Sequence, residues 1–159
     1  MIYANDVRAI DVRDANALQR FVELLVEYEC SLPIDLRHGS QPDPASVREA
    51  YDRPHGGFLA YIGDVSAGCV ATIRLDESTA IIQRLYVKPA YRQRGIARAL
   101  VVAALDFCRE RGYQRVVLDT EKERLSAAYS LYASLGFKDC APYGPVTYQN
   151  PTFMELRCG

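Results

Sequence analysis

Hydrophobic positions along this chain recur with two periods, and each change of period marks a predicted element. Residues 7–11 alternate and predict a first strand. Leu18, Phe21, Val22, Leu25, Val26 and Tyr28 then recur on one helical face, so 14–29 reads as a helix with Asp14 as its N-cap. Pro33, Gly39, Pro42 and Pro44 break the pattern before a short helix over 45–51 and a loop over 52–57. Apolar runs at 58–62 and 68–75 predict two strands joined by a hairpin turn over 63–67, and a turn at 76–78 leads into a third run, 81–87, which Pro89 ends. The period then lengthens: Ile96, Leu100, Val101, Ala104, Leu105 and Cys108 share one face of a helix running from Gly95 to near Arg111, with Gly112 as its left-handed cap. A buried strand at 115–120, a helix at 127–135 closed by Gly136, and strands at 137–138 and 153–157 complete the pattern.

This order constrains topology. The strands 58–62, 68–75 and 81–87 follow one another with only turns between them and form an antiparallel meander. A helical crossover separates 81–87 from 115–120, so those two strands are parallel neighbours. The predicted class is α/β of the α+β type: a mixed central sheet with an antiparallel N-terminal part and one parallel strand pair. At 159 residues the chain is expected to form one domain over 1–159.

Composition changes this picture little. Hydrophobic residues at 49% and charged residues at 25% are globular values. A net charge of −1 gives no reason to expect binding to bulk nucleic acid or an anionic membrane. No apolar run has the length of a membrane span. Residues 1–6 lack the basic and apolar regions of a signal peptide, so the expected location is the cytoplasm. Five scattered cysteines, an odd number, imply free thiols in a reducing compartment. His38 and His55 have no partners at metal-ligand spacing, and no metal is expected.

Charge is informative locally. Arg92, Arg94 and Arg98 surround the turn into the helix that begins near Gly95. The first N–H groups of a helix have no acceptor within it and carry the positive end of its dipole, so arginines there make an anion site, most naturally for phosphate. A Walker-type loop would need Gly-Lys-Ser/Thr, which is absent, and a dinucleotide fingerprint needs three glycines where this turn has one.

Arg92-Gln93-Arg94-Gly95-Ile96-Ala97 matches the (Arg/Gln)-x-x-Gly-x-(Gly/Ala) signature of the GNAT superfamily of acyl-CoA-dependent N-acetyltransferases, and Arg84-Leu85-Tyr86-Val87 resembles the strand leading into it. The resemblance extends from Ala67 to Phe137, where Ala128, Leu131, Tyr132, Gly136 and Phe137 match a second family segment. It implies the GNAT fold, with the parallel pair splayed around an acyl-CoA cleft. It also implies that the backbone of Leu85, Tyr86 and Val87 meets the pantetheine, and that Arg92, Gln93, Arg94, Gly95, Ile96, Ala97 and Arg98 hold the pyrophosphate. Gly95 belongs there because a side chain would keep phosphate from the backbone. The family's Asn, a polar contact to the pantetheine arm, is replaced by Leu125.

By the same resemblance the activity is transfer of acetyl from acetyl-CoA to a primary amine of a small molecule, amino-acid-like or polyamine, by direct attack. Tyr132 is the catalytic acid that protonates the departing thiolate. No carboxylate stands on the strand before the loop, where some family members place a base; Glu29, Asp35, Asp119, Glu121 and Glu123 are the candidates elsewhere. The acceptor pocket is assigned to 28–37, to the Arg84 and Tyr86 side chains and to 141–152, with Glu29, Arg84 and Tyr143 as substrate-binding residues. Arg84 could take an acceptor carboxylate bidentately, or pair with an internal acid such as Glu29. The alternatives are a non-catalytic acyl-CoA-binding or sensor module and an N-acetyltransferase of proteins or peptides. The segment 144–157 is where family members pair as homodimers.

Overall fold

The computed structural model describes residues 6–39, 41–146 and 148–158. Most of the N-terminal stretch read for a signal peptide, and Thr147 of the acceptor segment, lie outside them. The elements run β1 (Val7–Ala9), α1 (Ala15–Ser31), α2 (Pro44–Tyr51), β2 (Gly56–Ile62), β3 (Val65–Arg74), β4 (Thr79–Val87), α3 (Ile96–Glu110), β5 (Arg115–Thr120), α4 (Ser126–Ser134), β6 (Lys138–Asp139) and β7 (Thr152–Arg157). This is the predicted order. Boundaries moved where local chemistry was underweighted: Pro44 starts α2 because it has no N–H to leave unsatisfied, and Asp43 and Ser46 close a capping box around it. The hairpin between β2 and β3 is tighter than expected, with β3 beginning at Val65.

One seven-stranded sheet has the order β1-β2-β3-β4-β5-β7-β6. All neighbours are antiparallel except β4 and β5, the parallel pair that the crossover helix required. Each face carries its own core. Helix α3 lays Ile96, Leu100, Val101, Ala104, Leu105 and Cys108 against Val70, Ile82, Val116 and Leu118, and Tyr132 of α4 joins the same cluster. On the other face Phe21, Leu24 and Leu25 of α1 and Val47 and Tyr51 of α2 cover Leu59, Cys69 and Ala71.

The feature that positions the site is a bulge in β4. Ala71 pairs with Gln83 and Cys69 with Tyr86, so Arg84 and Leu85 together oppose Val70. Arg84 absorbs the extra residue by taking the left-handed conformation, φ 60°. Strand alternation is thereby reversed: Ile82 belongs to the α3 face, yet Tyr86, four residues later, lies in the α1–α2 face. Parallel pairing stops just before the bulge. Only Thr79, Ala80 and Ile81 pair with Arg115, Val116 and Val117; beyond them β4 and β5 separate while β5 stays paired with β7 along its length.

Gly68 is needed opposite this point. A Cβ there would stand 2.7 Å from the Tyr86 carbonyl oxygen, a backbone atom that cannot swing aside. Gly68→Ala is therefore expected to lower stability by about 2 kcal/mol, as overpacking does. Urea unfolding should show a lower midpoint with an unchanged slope.

Candidate active site

The residues expected to form an anion site lie at the start of helix α3. Its N-cap is Gly95 at φ 80°, which supplies no capping side chain, and no acidic residue stands in its first turn. A Cβ added at Gly95 would meet nothing within 4 Å, so the space in front of these N–H groups is open. Gln93 also adopts a positive φ, 63°, which turns the loop 92–95 around that space. Arg98 sits in the first turn, where the helix dipole disfavours a cation unless an anion compensates it; its guanidinium donates to Ser134 Oγ at 3.0 Å. Arg94 lies over the Tyr91 ring at 5.5 Å. Arg92 turns back, donating through Nε to the Val87 carbonyl at 2.9 Å and lying 5.7 Å over the Tyr86 ring, so it anchors the loop to the end of β4. These residues fit an anionic cofactor tail.

Leu85, Tyr86 and Val87 lie on the free stretch of β4, where no strand pairs on the β5 side. Tyr132, on α4, belongs to the core on the α3 face and has Tyr28 and Asp119 as electrostatic neighbours. It is 7% exposed and packs edge-on against Phe137 with centroids 5.8 Å apart. Burial first, then the neighbouring Tyr28 and the Asp119 charge, hold its phenol well above the ordinary value of 10, so at neutral pH it carries its proton. Leu125, at the family's Asn position, is the N-cap of α4 and gives no side-chain cap.

The opposite face of the gap is polar. Tyr28 packs edge-on against Tyr86 at 6.2 Å and stacks on His38 at 6.1 Å. Burial pushes its phenol up to about 12; Arg84 opposes this, and Glu29 and Asp119 add to it. Glu29 is buried, although it lies on the apolar side of α1. Its carboxylate accepts from the His38 backbone N–H at 3.0 Å and meets His38 Nδ1 at 2.5 Å. His38 Nε2 in turn lies 2.9 Å from Arg84 Nη1. Sequence spacing made His38 look isolated; the structure makes it the link between Glu29 and Arg84, the internal pairing expected directly. The signal available was a charged residue placed on the buried face of an amphipathic helix, which demands a partner.

Two further clusters engage three of the other carboxylates proposed as bases, Asp119, Asp35 and Glu121. Asp119 accepts from both Tyr143 Oη at 2.7 Å and Tyr148 Oη at 2.6 Å, fastening the segment after β6 onto β5. Burial foremost, together with that carboxylate, raises both phenols. Tyr148 was not singled out from sequence. Arg124 forks onto Asp35 at 2.9 and 2.7 Å and also binds Glu121, and these hydrogen bonds hold both acids below their ordinary range. Glu123 lies in a concavity of about 490 Å³ that also includes Cys140, Pro142 and Thr152. A smaller cavity of about 200 Å³, between the ends of β1 and α3, shares no residue with this site. Among the described residues no three or more His, Cys, Asp or Glu side chains come together as a metal site, and no helix is long and apolar enough to cross a membrane.

The sequence model of the acetyltransferase (GNAT) family matches residues 20–137. Human N-acetyltransferase 8 is 35% identical over 103 residues, which cover 60% of this chain and 45% of that protein. The chain spans about half the length of this and its related rat N-acetyltransferases. An N-acetyltransferase of Schizosaccharomyces pombe, itself uncharacterized, is 30% identical over 160 residues covering 98% of each chain. Among solved structures, yncA of Salmonella typhimurium with its cofactor acetyl-CoA superposes with a TM-score of 0.78 over 96% of this chain and 93% of its own; at 20% identity the likeness is one of fold.

The shared carboxylate gives a direct spectroscopic expectation. Asp119→Asn removes the negative charge that both phenols face, so Tyr143 and Tyr148 should ionise at lower pH than in the wild type. An ultraviolet tyrosinate titration should then show more tyrosines ionising in the lower-pH phase.

Proposed function

The chain belongs to the acetyltransferase (GNAT) family, and from that premise we propose that it moves an acetyl group from acetyl-CoA to a primary amine of a small, amino-acid-like molecule. The observation that carries the reading is the free edge of β4 beyond Ile81 ending at the uncapped N-terminus of α3. An extended amide-bearing arm can hydrogen-bond the first while its pyrophosphate meets the second. Leu85, Tyr86 and Val87 serve the arm. The N–H groups of 92–98, with Gly95 leaving room, serve the phosphates, and Arg94 and Arg98 add charge.

The thioester supplies an activated acetyl group, and the protein supplies position and protons. Tyr132 gives its proton to the sulfur as the carbon–sulfur bond breaks. Its environment makes it a reluctant donor, so the transfer runs downhill only when the acetylated nitrogen returns a proton to the phenol in the same event. Arg84, on the acceptor face, favours an acceptor with a carboxylate over a polyamine, since a cation there repels a second one.

Calorimetric titration with acetyl-CoA tests the reading. The wild type should bind; Gly95→Glu, which puts a carboxylate where phosphate is expected, should abolish binding. Tyr132→Phe should bind acetyl-CoA as tightly as the wild type and lose about a hundredfold or more in turnover. Equal turnover by Tyr132→Phe would point to another acid, and acetyl-CoA binding without turnover by the wild type would favour the non-catalytic acyl-CoA-binding module.

A further inference from the structure

The acceptor face holds a base that is already oriented and already covered. Glu29, buried on α1, commits both carboxylate oxygens to His38: one to its backbone N–H at 3.0 Å and one to ring Nδ1 at 2.5 Å. Arg84 Nη1 lies 2.9 Å from the other ring nitrogen. A guanidinium has donors and no acceptor, so Nε2 must be the accepting nitrogen and the ring proton sits on Nδ1, donated to Glu29. That tautomer has the form of a general base: a carboxylate behind, a lone pair in front. Tyr28 lies against the ring with an interplanar angle of 23° and fixes its plane. Arg37 holds the loop that carries it, donating to the Leu32 and Cys30 carbonyls at 3.2 and 3.3 Å.

Resting on the acetyl-transfer reading above, we propose that His38 is the base that deprotonates the acceptor's ammonium group, and that Arg84 covers it until a carboxylate of the acceptor draws the guanidinium away. A lone pair accepting from Arg84 cannot take a proton from anything else. One hydrogen bond to imidazole is a weak hold compared with a bidentate carboxylate, so an anionic acceptor both binds Arg84 and uncovers Nε2. The ammonium then gives one proton to Nε2, leaving imidazolium paired with Glu29. The freed nitrogen lone pair forms the bond to the acetyl carbon as the carbon–sulfur bond breaks. Tyr132 protonates the sulfur, and the second proton of the nitrogen restores the phenol. His38 returns its proton to water.

The groups facing His38 are Tyr28 and Glu29 from α1 and Arg84 from β4. Asp119 acts on Tyr28, and Asp35, on the same loop, is held by Arg124. Protonation at Nε2 removes the lone pair, so the base is lost and activity is expected to fall on the acid side of the pH profile.

The experiment compares L-amino acids with their carboxamides as acceptors, over a pH series, for the wild type, His38→Asn and Arg84→Gln. The wild type should turn over acids and not amides, with an acid limb in its pH profile. His38→Asn should lose about a hundredfold in kcat and lose that limb, while calorimetric affinity for acetyl-CoA stays unchanged. Arg84→Gln should narrow the difference between acids and amides and keep the limb. Because the chain has two histidines, nitrogen NMR with His38→Asn as the assignment control should show His38 protonated on Nδ1 in the wild type. Retention of the acid limb by His38→Asn would overturn the base; equal use of acids and amides by the wild type, or no turnover of acids by a protein that binds acetyl-CoA, would overturn the cover. Failure to bind acetyl-CoA would instead overturn the acetyl-transfer reading.

Discussion

The site depends on one backbone irregularity. An extra residue in β4, taken up by Arg84 in the left-handed region, reverses strand alternation and comes just where β4 leaves β5. Without it, Tyr86 would join the α3 core and Arg84 would point into it. With it, Tyr86 seals the α1–α2 core, Arg84 reaches His38, and the end of β4 has a free edge. The packing of α3 and the constriction at Gly68 brace the bulge from either side.

The gap it opens is lined asymmetrically. On the α3–α4 side are helix-terminal N–H groups, arginines and a buried tyrosine, a surface suited to anions and a departing thiolate. On the other side every carboxylate of the candidate set that packs at the gap already has hydrogen-bonding partners: Glu29 with His38, Asp119 with two tyrosines, Asp35 and Glu121 with Arg124. A carboxylate so occupied orients other groups better than it takes up protons. The base proposed above is accordingly an imidazole that one of these acids orients.

Much of the fold was legible in the chain. The period of 3.6 at Ile96–Cys108 and the apolar runs around it determine a crossover helix between parallel strands, and Gly95, Gly112 and Gly136 mark ends that the structure keeps. The uncapped start of α3 was legible for the same reason, because a helix start is a local property. The polar cluster around His38 and Asp119 was not. His38 meets Glu29 across nine positions and Arg84 across forty-six, and Tyr148 meets Asp119 across twenty-nine; such contacts follow from topology and leave no periodic trace. Nor does any turn residue mark the bulge, since an arginine is a poor advertisement for positive φ.

Arg84 carries a further meaning for how such a protein changes over time. A non-glycine residue held at positive φ stores backbone strain, and glycine would occupy that place more comfortably. Folding and function therefore pull this position in opposite directions. Selection for thermal robustness alone would drift it toward glycine, with little to oppose the change in the sheet. Selection for a new acceptor would start at the same codon, because the residue that strains the strand is also the one proposed to meet the acceptor. The strained position is thus where a descendant would trade acceptor choice against stability first, while the helix end proposed to receive the cofactor could stay as it is.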